Sequence, residues 1–220
     1  MPNRAAQYAL PLSVASAGAD RIVVGNANAA ALDLLRKPDR WPFHTCILEG
    51  APRSGKSLIA RWFAAQHEAA TVIDDAPKMA EADLFHAWNR AQATSAPLLL
   101  TVGIDPLAAG EGDMFGTGGW TVRLPDLRSR LGAALHCAIG LPDEAMMADL
   151  LRAHAERRSL ALPDALVDYL VTRSERSFAM AEAIVAAVDR LSLERKQAPS
   201  LAICRDALDA VQGPAEPNLL

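Results

Sequence analysis

Residues Gly50-Ala51-Pro52-Arg53-Ser54-Gly55-Lys56-Ser57 match the pattern G-x-x-x-x-G-K-[ST] at every fixed position. An apolar run, Cys46 to Leu48, precedes this stretch and a helical pattern follows it, which is the context of a phosphate-binding loop, or P-loop. In such a loop the backbone N–H groups surround phosphates, the lysine reaches the β- and γ-phosphates, and the serine hydroxyl binds Mg²⁺. The alternative is an ordinary glycine-rich turn between a strand and a helix. The predicted nucleotide-binding residues of the loop are Gly50, Arg53, Ser54, Gly55, Lys56 and Ser57.

Length and charge limit the classes of function. The chain has 220 residues, enough for one sizeable domain, or one domain with a small appendage, and a net charge of −4. Binding along a DNA backbone needs clustered Lys and Arg, so the charge predicts little direct DNA binding. No run approaches the roughly 20 apolar residues that span a bilayer, and no basic leader starts the chain. We therefore expect a cytoplasmic protein without membrane contact. The three cysteines lack C-x-x-C spacing, which predicts buried thiols without disulfides or metal.

Strand and helix patterns alternate along the first part of the chain. Short apolar runs predict strands at 21–24, 44–48, 70–75, 97–102 and 137–141, with helices between most of them. This alternation implies an α/β fold with a mostly parallel sheet, whose ligands bind at the carboxyl ends of the strands. Residues 106–120 are glycine-rich and predict a mobile loop, and the pattern is wholly helical from Pro142 onward. We predict three regions: a flexible tail at 1–20, a nucleotide-binding domain at 21–141 and a helical lid at 142–220.

Two acids end the strand that follows the P-loop helix, in Val72-Ile73-Asp74-Asp75. In P-loop ATPases the first acid of such a pair lies near Mg²⁺ and the second polarises the attacking water. We therefore predict Asp74 as a Mg²⁺ ligand together with Ser57, and Asp75 as a catalytic residue; an acidic turn is the alternative. The 17 positions from Ser57 to Asp74 hold one crossover helix and one strand, since a parallel connection needs roughly a dozen residues.

The order of an α/β nucleotide domain and a helical lid resembles that of AAA+ ATPases. Those proteins usually have a further strand between the P-loop helix and the strand that ends in the two acids. The expected sheet therefore has one strand fewer.

A motif at residues 124–131 narrows the family. Its sequence, Leu124-Pro125-Asp126-Leu127-Arg128-Ser129-Arg130-Leu131, resembles the LPDL-x-SRL box of the Hda family, DnaA-related proteins that inactivate the bacterial replication initiator. The similarity is closest to Hda-like proteins of alphaproteobacteria. It implies that Arg130 is an arginine finger acting in trans on ATP held by a neighbouring subunit. Alternatively, Arg123, Arg128 and Arg130 form a solvated basic face paired with Asp126.

A second resemblance lies in the predicted tail. Gln7-Tyr8-Ala9-Leu10-Pro11-Leu12 is similar to the hexapeptide with which Hda and other replication proteins bind the DNA polymerase sliding clamp, its beta subunit. Such a peptide binds extended, with Gln7 at the pocket mouth and Leu10, Pro11 and Leu12 along an apolar groove. Tyr8 departs from the usual Leu of the family. The alternative is that Leu10 and Leu12 attach the tail to its own domain.

The resemblance also assigns the remaining nucleotide contacts. Val23-Val24-Gly25-Asn26 resembles the segment beside the adenine, so Val24 is a predicted nucleotide-binding residue. The sensor 2 arginine of the family aligns closest to Ala179, and we predict that Arg176, one turn earlier on the same helical face, contacts the nucleotide instead. The alternative is that Arg176 belongs to an exposed cluster with Arg173 and Glu175 at a helix start. The polar sensor 1 residue would be Thr101 or Asp105, because Val102 and Gly103 occupy the nearest places.

These observations predict a DnaA-related AAA+ adaptor that binds ADP or ATP with Mg²⁺. The resemblance implies that it binds DnaA and the sliding clamp, stimulates hydrolysis of DnaA-bound ATP and negatively regulates replication initiation. Weak sensor residues imply little or no intrinsic ATPase activity, and self-association is compatible with this family. The alternatives are a self-sufficient AAA+ ATPase, whose turnover would depend on Asp75, and a loader-type adaptor that recruits DnaA without needing Arg130.

Overall fold

The computed structural model describes residues 21–104 and 120–213. These residues belong to two compact units, an α/β unit of residues 28–140 and a helical unit that joins residues 141–213 to the segment 21–27. The predicted tail at 1–20 and nearly all of the predicted glycine-rich loop lie outside the described residues. In chain order the elements are α1 (Ala29–Leu35), β1 (Thr45–Gly50), α2 (Lys56–Gln66), β2 (Thr71–Ile73), α3 (Glu81–Thr94), β3 (Leu98–Gly103), α4 (Pro125–Gly132), β4 (Leu135–Ile139), α5 (Glu144–Arg157), α6 (Asp164–Val171), α7 (Phe178–Arg195) and α8 (Leu201–Gln212).

The described part of the α/β unit contains a four-stranded sheet in the order β2-β3-β1-β4, and every neighbouring pair is parallel. All six residues of β1 are buried, because the strand has neighbours on both edges and covered faces. Ile47, for example, pairs with Leu100 of β3 and with His136 of β4. The prediction of a mostly parallel sheet with one strand fewer than usual is confirmed.

Helices cover the sheet through apolar side chains at helical spacing. Ile59 and Phe63 of α2 are 1% and 0% exposed, so this face of the P-loop helix lies in the core. Burial of such a side chain contributes about 1.5–3 kcal/mol to the free energy of unfolding. A second cluster joins the sheet to α3 and α4, through Ile47, Ile73, Leu84, Ala91, Leu98, Leu100, Val102, Leu127 and Leu131. The segment 124–131 therefore folds as a core helix that buries Leu127 and Leu131 and exposes its polar residues.

The helical unit contains α5 to α8, as the apolar periodicity predicts. Three of these helices begin at a side chain that accepts a backbone N–H of the first turn: Asp143 from Met146, Ser177 from Met180 and Ser200 from Ile203, at N···O distances of 2.8, 3.1 and 3.4 Å. Each such cap stabilises the start of a helix by about 1 kcal/mol. Among residues 21–104 and 120–213, no helix combines the length and apolar character needed to cross a bilayer.

The segment 21–27 differs from its prediction. Residues 21–24 form no strand, although their β-branched run favoured one. Asn26 instead ties this segment to the start of the helical unit, because its Nδ2 donates to the Leu141 carbonyl at 3.1 Å and its Oδ1 accepts the Asp143 N–H at 2.9 Å. Gly25 lies close to Met146: a Cβ added to Gly25 would lie 2.7 Å from the Cγ of Met146. The segment therefore groups with the lid and not, as predicted, with the α/β domain.

Candidate functional site

The P-loop connects the carboxyl end of β1 to the first turn of α2, as the sequence predicts. Steric constraints explain why two positions of this loop are glycine. A Cβ on Gly50 would lie 2.7 Å from Ser54 Oγ, and Gly55 adopts φ +87°, a left-handed conformation that side chains disfavour. Ser54 is 3% exposed, so the loop folds over its own serine. The backbone thereby presents the N-terminal N–H groups of α2 for binding an anion.

Lys56 occupies the first position of α2 and turns back over the loop. Its Nζ donates to the carbonyls of Gly50 and Ala51, at 2.6 and 2.8 Å. Burial lowers the pKa of Lys56, and the charges of Asp74 and Asp75 oppose that shift. The ammonium therefore lies at the carboxyl edge of the sheet between the loop and the two acids, where it can bind a phosphate oxygen.

Asp74 follows β2 and is held from two sides. The Thr101 hydroxyl of β3, a residue 1% exposed, donates to Asp74 Oδ1 at 2.5 Å. Burial raises the pKa of Asp74, but hydrogen bonds from the Thr101 and Ser57 hydroxyls and from the Asp75 N–H, with the charge of Lys56, outweigh it and lower the pKa. Asp74 is therefore ionised at neutral pH and lies within hydrogen-bonding reach of the P-loop serine. A carboxylate and a hydroxyl oxygen placed together are ligands that Mg²⁺ prefers.

Asp75 has a left-handed backbone conformation, with φ 57° and ψ 53°. Its N–H donates to Thr101 Oγ1 at 2.8 Å, which helps to hold this uncommon geometry. The carboxylate pairs with Lys78 at 2.5 Å, and the side chain is 45% exposed. The predicted catalytic carboxylate therefore points to a lysine neighbour in its own turn.

Arg130, in the last turn of α4, lies against α3. Its Nη1 donates to Asn89 Oδ1 at 2.8 Å, and its Nη2 pairs with Asp126 Oδ2 at 2.8 Å. Its Cζ is 4.7 Å from the ring centroid of Phe85 and 4.3 Å from that of Trp88, which are cation–π distances. The pairing with Asp126 that was weighed as an alternative is present, but Arg130 is only 28% exposed and not a freely solvated side chain.

Two predicted nucleotide contacts belong to the helical unit. Val24 lies in the segment that groups with the lid. Arg176 precedes α7, which starts at Phe178 after the Ser177 cap, so the argument that placed Arg176 on the same helical face as Ala179 is wrong. Its Nη1 is 3.8 Å from Glu144 Oε1, in a pair whose side chains are 56% and 70% exposed. Its assignment to the nucleotide stays a prediction.

Comparison with known proteins identifies the helical unit. Residues 143–203 match the family described as "Hda, lid domain". The fold also matches domain III of the DnaA replication initiation protein of Thermotoga maritima, with a TM-score of 0.68 and 14% identity over 88% of this chain and 95% of that one. The helical unit therefore resembles the Hda lid, and the described residues share the fold of DnaA domain III.

Two further structures share this fold. The RuvB Holliday junction motor of Thermotoga maritima aligns with a TM-score of 0.58, 14% identity and coverage of 88% of this chain and 73% of that one. A replication initiator DnaA bound to AMPPCP and single-stranded DNA aligns with a TM-score of 0.56, 14% identity and coverage of 80% and 66%. No sequence among curated proteins matches significantly.

Sequence patterns do not reveal two contacts near the P-loop. The sequence offers Thr101 only as a candidate sensor 1 residue. In the structure its hydroxyl donates to Asp74 and accepts the Asp75 N–H. His136 belongs to no motif of the sequence, but it lies between Glu49, the residue before Gly50, and the end of α4. Both follow from the pairing of strands far apart in sequence. Asp105, the other sensor 1 candidate, lies outside the described residues.

Thr101→Val is expected to reduce the Mg²⁺-dependent gain in ADP affinity about tenfold, because a hydrogen bond to a charged carboxylate is lost. Affinity for ADP in EDTA should change little, since the P-loop itself is untouched. Calorimetric titrations with and without Mg²⁺ measure the two values, and Thr101→Ser, which keeps the hydroxyl, should restore the gain. Equal losses in Mg²⁺ and EDTA would assign Thr101 to general stability instead.

His136 joins the P-loop strand to α4 through both ring nitrogens. Nδ1 is 2.8 Å from Glu49 Oε1 and Nε2 is 3.1 Å from the Leu131 carbonyl oxygen. Both partners are acceptors, so both nitrogens donate only when the ring is an imidazolium. The Glu49 carboxylate raises the pKa of His136 despite the opposing effect of burial, and the Leu131 carbonyl adds to the rise.

The raised pKa predicts how stability changes with pH. A folded-state pKa above the unfolded value gives stability that is complete below about pH 6.5 and is lost as pH rises through the folded-state pKa. The difference in free energy of unfolding between wild type and His136→Gln should therefore shrink as pH rises. Urea titrations across that range measure it, with the exposed His86→Gln as control. A difference independent of pH would contradict the ion pair.

Proposed function

We propose that this protein is an adaptor that stimulates hydrolysis of ATP bound to DnaA and thereby negatively regulates replication initiation. The match of residues 143–203 to the Hda lid carries the proposal, because it lies in a chain that also has a complete P-loop. The DnaA-like fold agrees with it. DnaA is the proposed partner, and the proposed compartment is the cytoplasm.

Adenine nucleotide is the proposed ligand of the P-loop. Mg²⁺ would be held by Ser57 and Asp74, whose side chains already meet, and it would neutralise phosphate charge. Among residues 21–104 and 120–213, no cluster of three His, Cys, Asp or Glu side chains suits a metal, so phosphate oxygens and water would complete the coordination. Bound nucleotide would act mainly by favouring one arrangement of the protein over another.

Slow intrinsic turnover is proposed because the sensor residues are weak. The exposed ion pair between Asp75 and Lys78 contributes little and does not by itself keep the carboxylate from polarising water. The chemistry of the adaptor would instead reside in Arg130, supplied in trans to the γ-phosphate of ATP on DnaA. An arginine finger is worth about 10³ to 10⁵ in rate, so one side chain suffices for the regulatory output.

Clamp binding is proposed for the segment Gln7 to Leu12, which lies outside the described residues. Leu10→Ala together with Leu12→Ala should abolish retention on immobilised sliding clamp, because the apolar anchors of an extended peptide are removed. The melting temperature should stay unchanged, and Leu34→Ala, which removes an exposed leucine of α1, is the matched control. Undiminished clamp affinity of the double variant would remove the assignment.

Hydrolysis assays separate the proposal from its alternatives. The isolated protein should hydrolyse ATP slowly, whereas its addition with clamp-loaded DNA should accelerate hydrolysis of ATP pre-bound to DnaA. Fast turnover by the isolated protein that disappears in Asp75→Ala would favour a self-sufficient ATPase. Recruitment of DnaA without acceleration would favour a loader, whose loss stalls replication; loss of an inactivator causes over-initiation. The net charge of −4 agrees with recruitment through the clamp and little direct DNA binding.

A further inference from the structure

One face of α3 holds the guanidinium of Arg130 by chemically different contacts. Phe85, Trp88 and Asn89 stand at positions i, i+3 and i+4, so their side chains share that face. The two rings contact the guanidinium carbon at 4.7 and 4.3 Å, and the Asn89 carbonyl oxygen accepts Nη1–H at 2.8 Å. We call these three residues the α3 platform.

We propose that the α3 platform positions Arg130 for an incoming phosphate, and that Asp126 occupies the place which a phosphate oxygen would take. This inference rests on the proposed function of Arg130. Asn89, Phe85 and Trp88 are then positioning residues: they touch the arginine and not the reacting atoms. Asp126 is an exchangeable partner of the arginine.

The neutrality of the platform supports a positioning role. Two aromatic rings and a carboxamide orient the guanidinium but leave its charge intact. Carboxylates in the same places would neutralise that charge and repel a phosphate. A long arginine side chain loses much rotamer freedom when it binds, so an arginine already held in place loses less at the moment of reaction. The 28% of the Arg130 side chain that stays exposed leaves an edge for a ligand.

A second contact fixes the helix that carries Arg130. The Glu81 carboxylate, at the start of α3, accepts the N–H groups of Arg123 and Leu124 at 2.7 and 2.8 Å, immediately before α4 begins. These hydrogen bonds lower the pKa of Glu81, with Arg123 the larger contributor. The helix is therefore attached to α3 near its start through Glu81 and in its last turn through Arg130.

Asp126 differs from the platform in exposure and in charge. Its side chain is 63% exposed, and its contact with Nη2 is an i, i+4 pair on one helix, which contributes little in water. A guanidinium carries five N–H groups, and the contacts to Asn89 and Asp126 use one from each terminal nitrogen. A phosphate with two negative charges would outcompete this exposed carboxylate, while the platform keeps the arginine oriented.

The test measures single-turnover hydrolysis of DnaA-bound ATP while the protein concentration is varied, so that maximal rate and half-saturating concentration are obtained separately. Asn89→Leu should lower the maximal rate about tenfold, as expected for loss of a hydrogen bond to a charged group, and leave the half-saturating concentration unchanged. Asp126→Asn should raise the maximal rate about threefold, because the competing carboxylate is gone. Arg90→Ala, an exposed cation next to Asn89, should match wild type.

A double variant distinguishes positioning from stability. Asn89→Leu combined with Arg130→Ala should be no slower than Arg130→Ala alone, since the platform acts only through the arginine. Melting temperatures identify any variant that fails to fold. A wild-type maximal rate in Asn89→Leu, or a loss in Asp126→Asn, would overturn the platform while the finger stands. Equal stimulation by wild type and Arg130→Ala would overturn the finger and the platform together.

Discussion

A Lys56→Ala variant is expected to bind ADP with Mg²⁺ at least about 100-fold more weakly than wild type. The ammonium of Lys56 lies over the P-loop, where its present acceptors are the Gly50 and Ala51 carbonyls. A charge-assisted hydrogen bond to a phosphate is about twice as strong as a neutral one, and a lysine here reaches more than one oxygen. The half-buried position also reduces screening of the charge.

Calorimetric titration of the folded variant measures this loss. Lys37→Ala is the matched control, because Lys37 is an exposed lysine of the same α/β unit. The melting temperatures of both variants without nucleotide should stay close to that of wild type. An ADP affinity of Lys56→Ala within a factor of about two of wild type would show that the loop is not a phosphate site.

The nucleotide loop could be predicted from sequence because its determinants are contiguous. Gly50, Gly55 and Lys56 act through the geometry of one turn, and the strand before it and helix after it confirm the context. The two acids after β2 were predictable for the same reason. Residues 21–24 show the limit of local patterns: a β-branched run favours a strand, but contacts of Gly25 and Asn26 with the lid decide its structure.

Contacts between distant parts of the chain were not predictable. Glu49 and His136 are separated by 87 positions, and Cys46 and Cys137 by 91, yet the parallel pairing of β1 and β4 brings both pairs together. The two thiols are buried with sulfur atoms 3.4 Å apart, which their spacing did not indicate. The partners of Arg130 on α3 depend likewise on how two helices pack.

An Arg130→Ala variant is expected to lose about 10³-fold or more of the stimulated hydrolysis of DnaA-bound ATP. An arginine finger stabilises charge that develops in the transition state, so on this proposal the rate should fall while binding to DnaA and to the clamp is retained. Arg130 also holds α4 against α3, so part of any loss could come from local loosening. Its measured melting temperature is therefore part of the test.

Arg128→Ala provides the matched control for Arg130→Ala. Arg128 is an exposed arginine on the same helix, two positions away, and carries the same charge. A general electrostatic role would reduce the rate in both variants and would weaken with salt. A loss confined to Arg130→Ala identifies the position held by the α3 platform, whereas equal losses would assign stimulation to the basic face as a whole.

The proposed adaptor acts on ATP held by another protein. The most direct measurement is a single-turnover experiment in which labelled ATP is pre-bound to DnaA, and wild type or Arg130→Ala is added with clamp-loaded DNA and excess unlabelled ATP. The unlabelled ATP prevents any released label from being hydrolysed in the P-loop of the adaptor. We expect rapid conversion of the label to ADP with wild type and almost none above background with Arg130→Ala. Conversion at the background rate with both folded proteins, or at the same accelerated rate with both, would contradict the proposed action in trans.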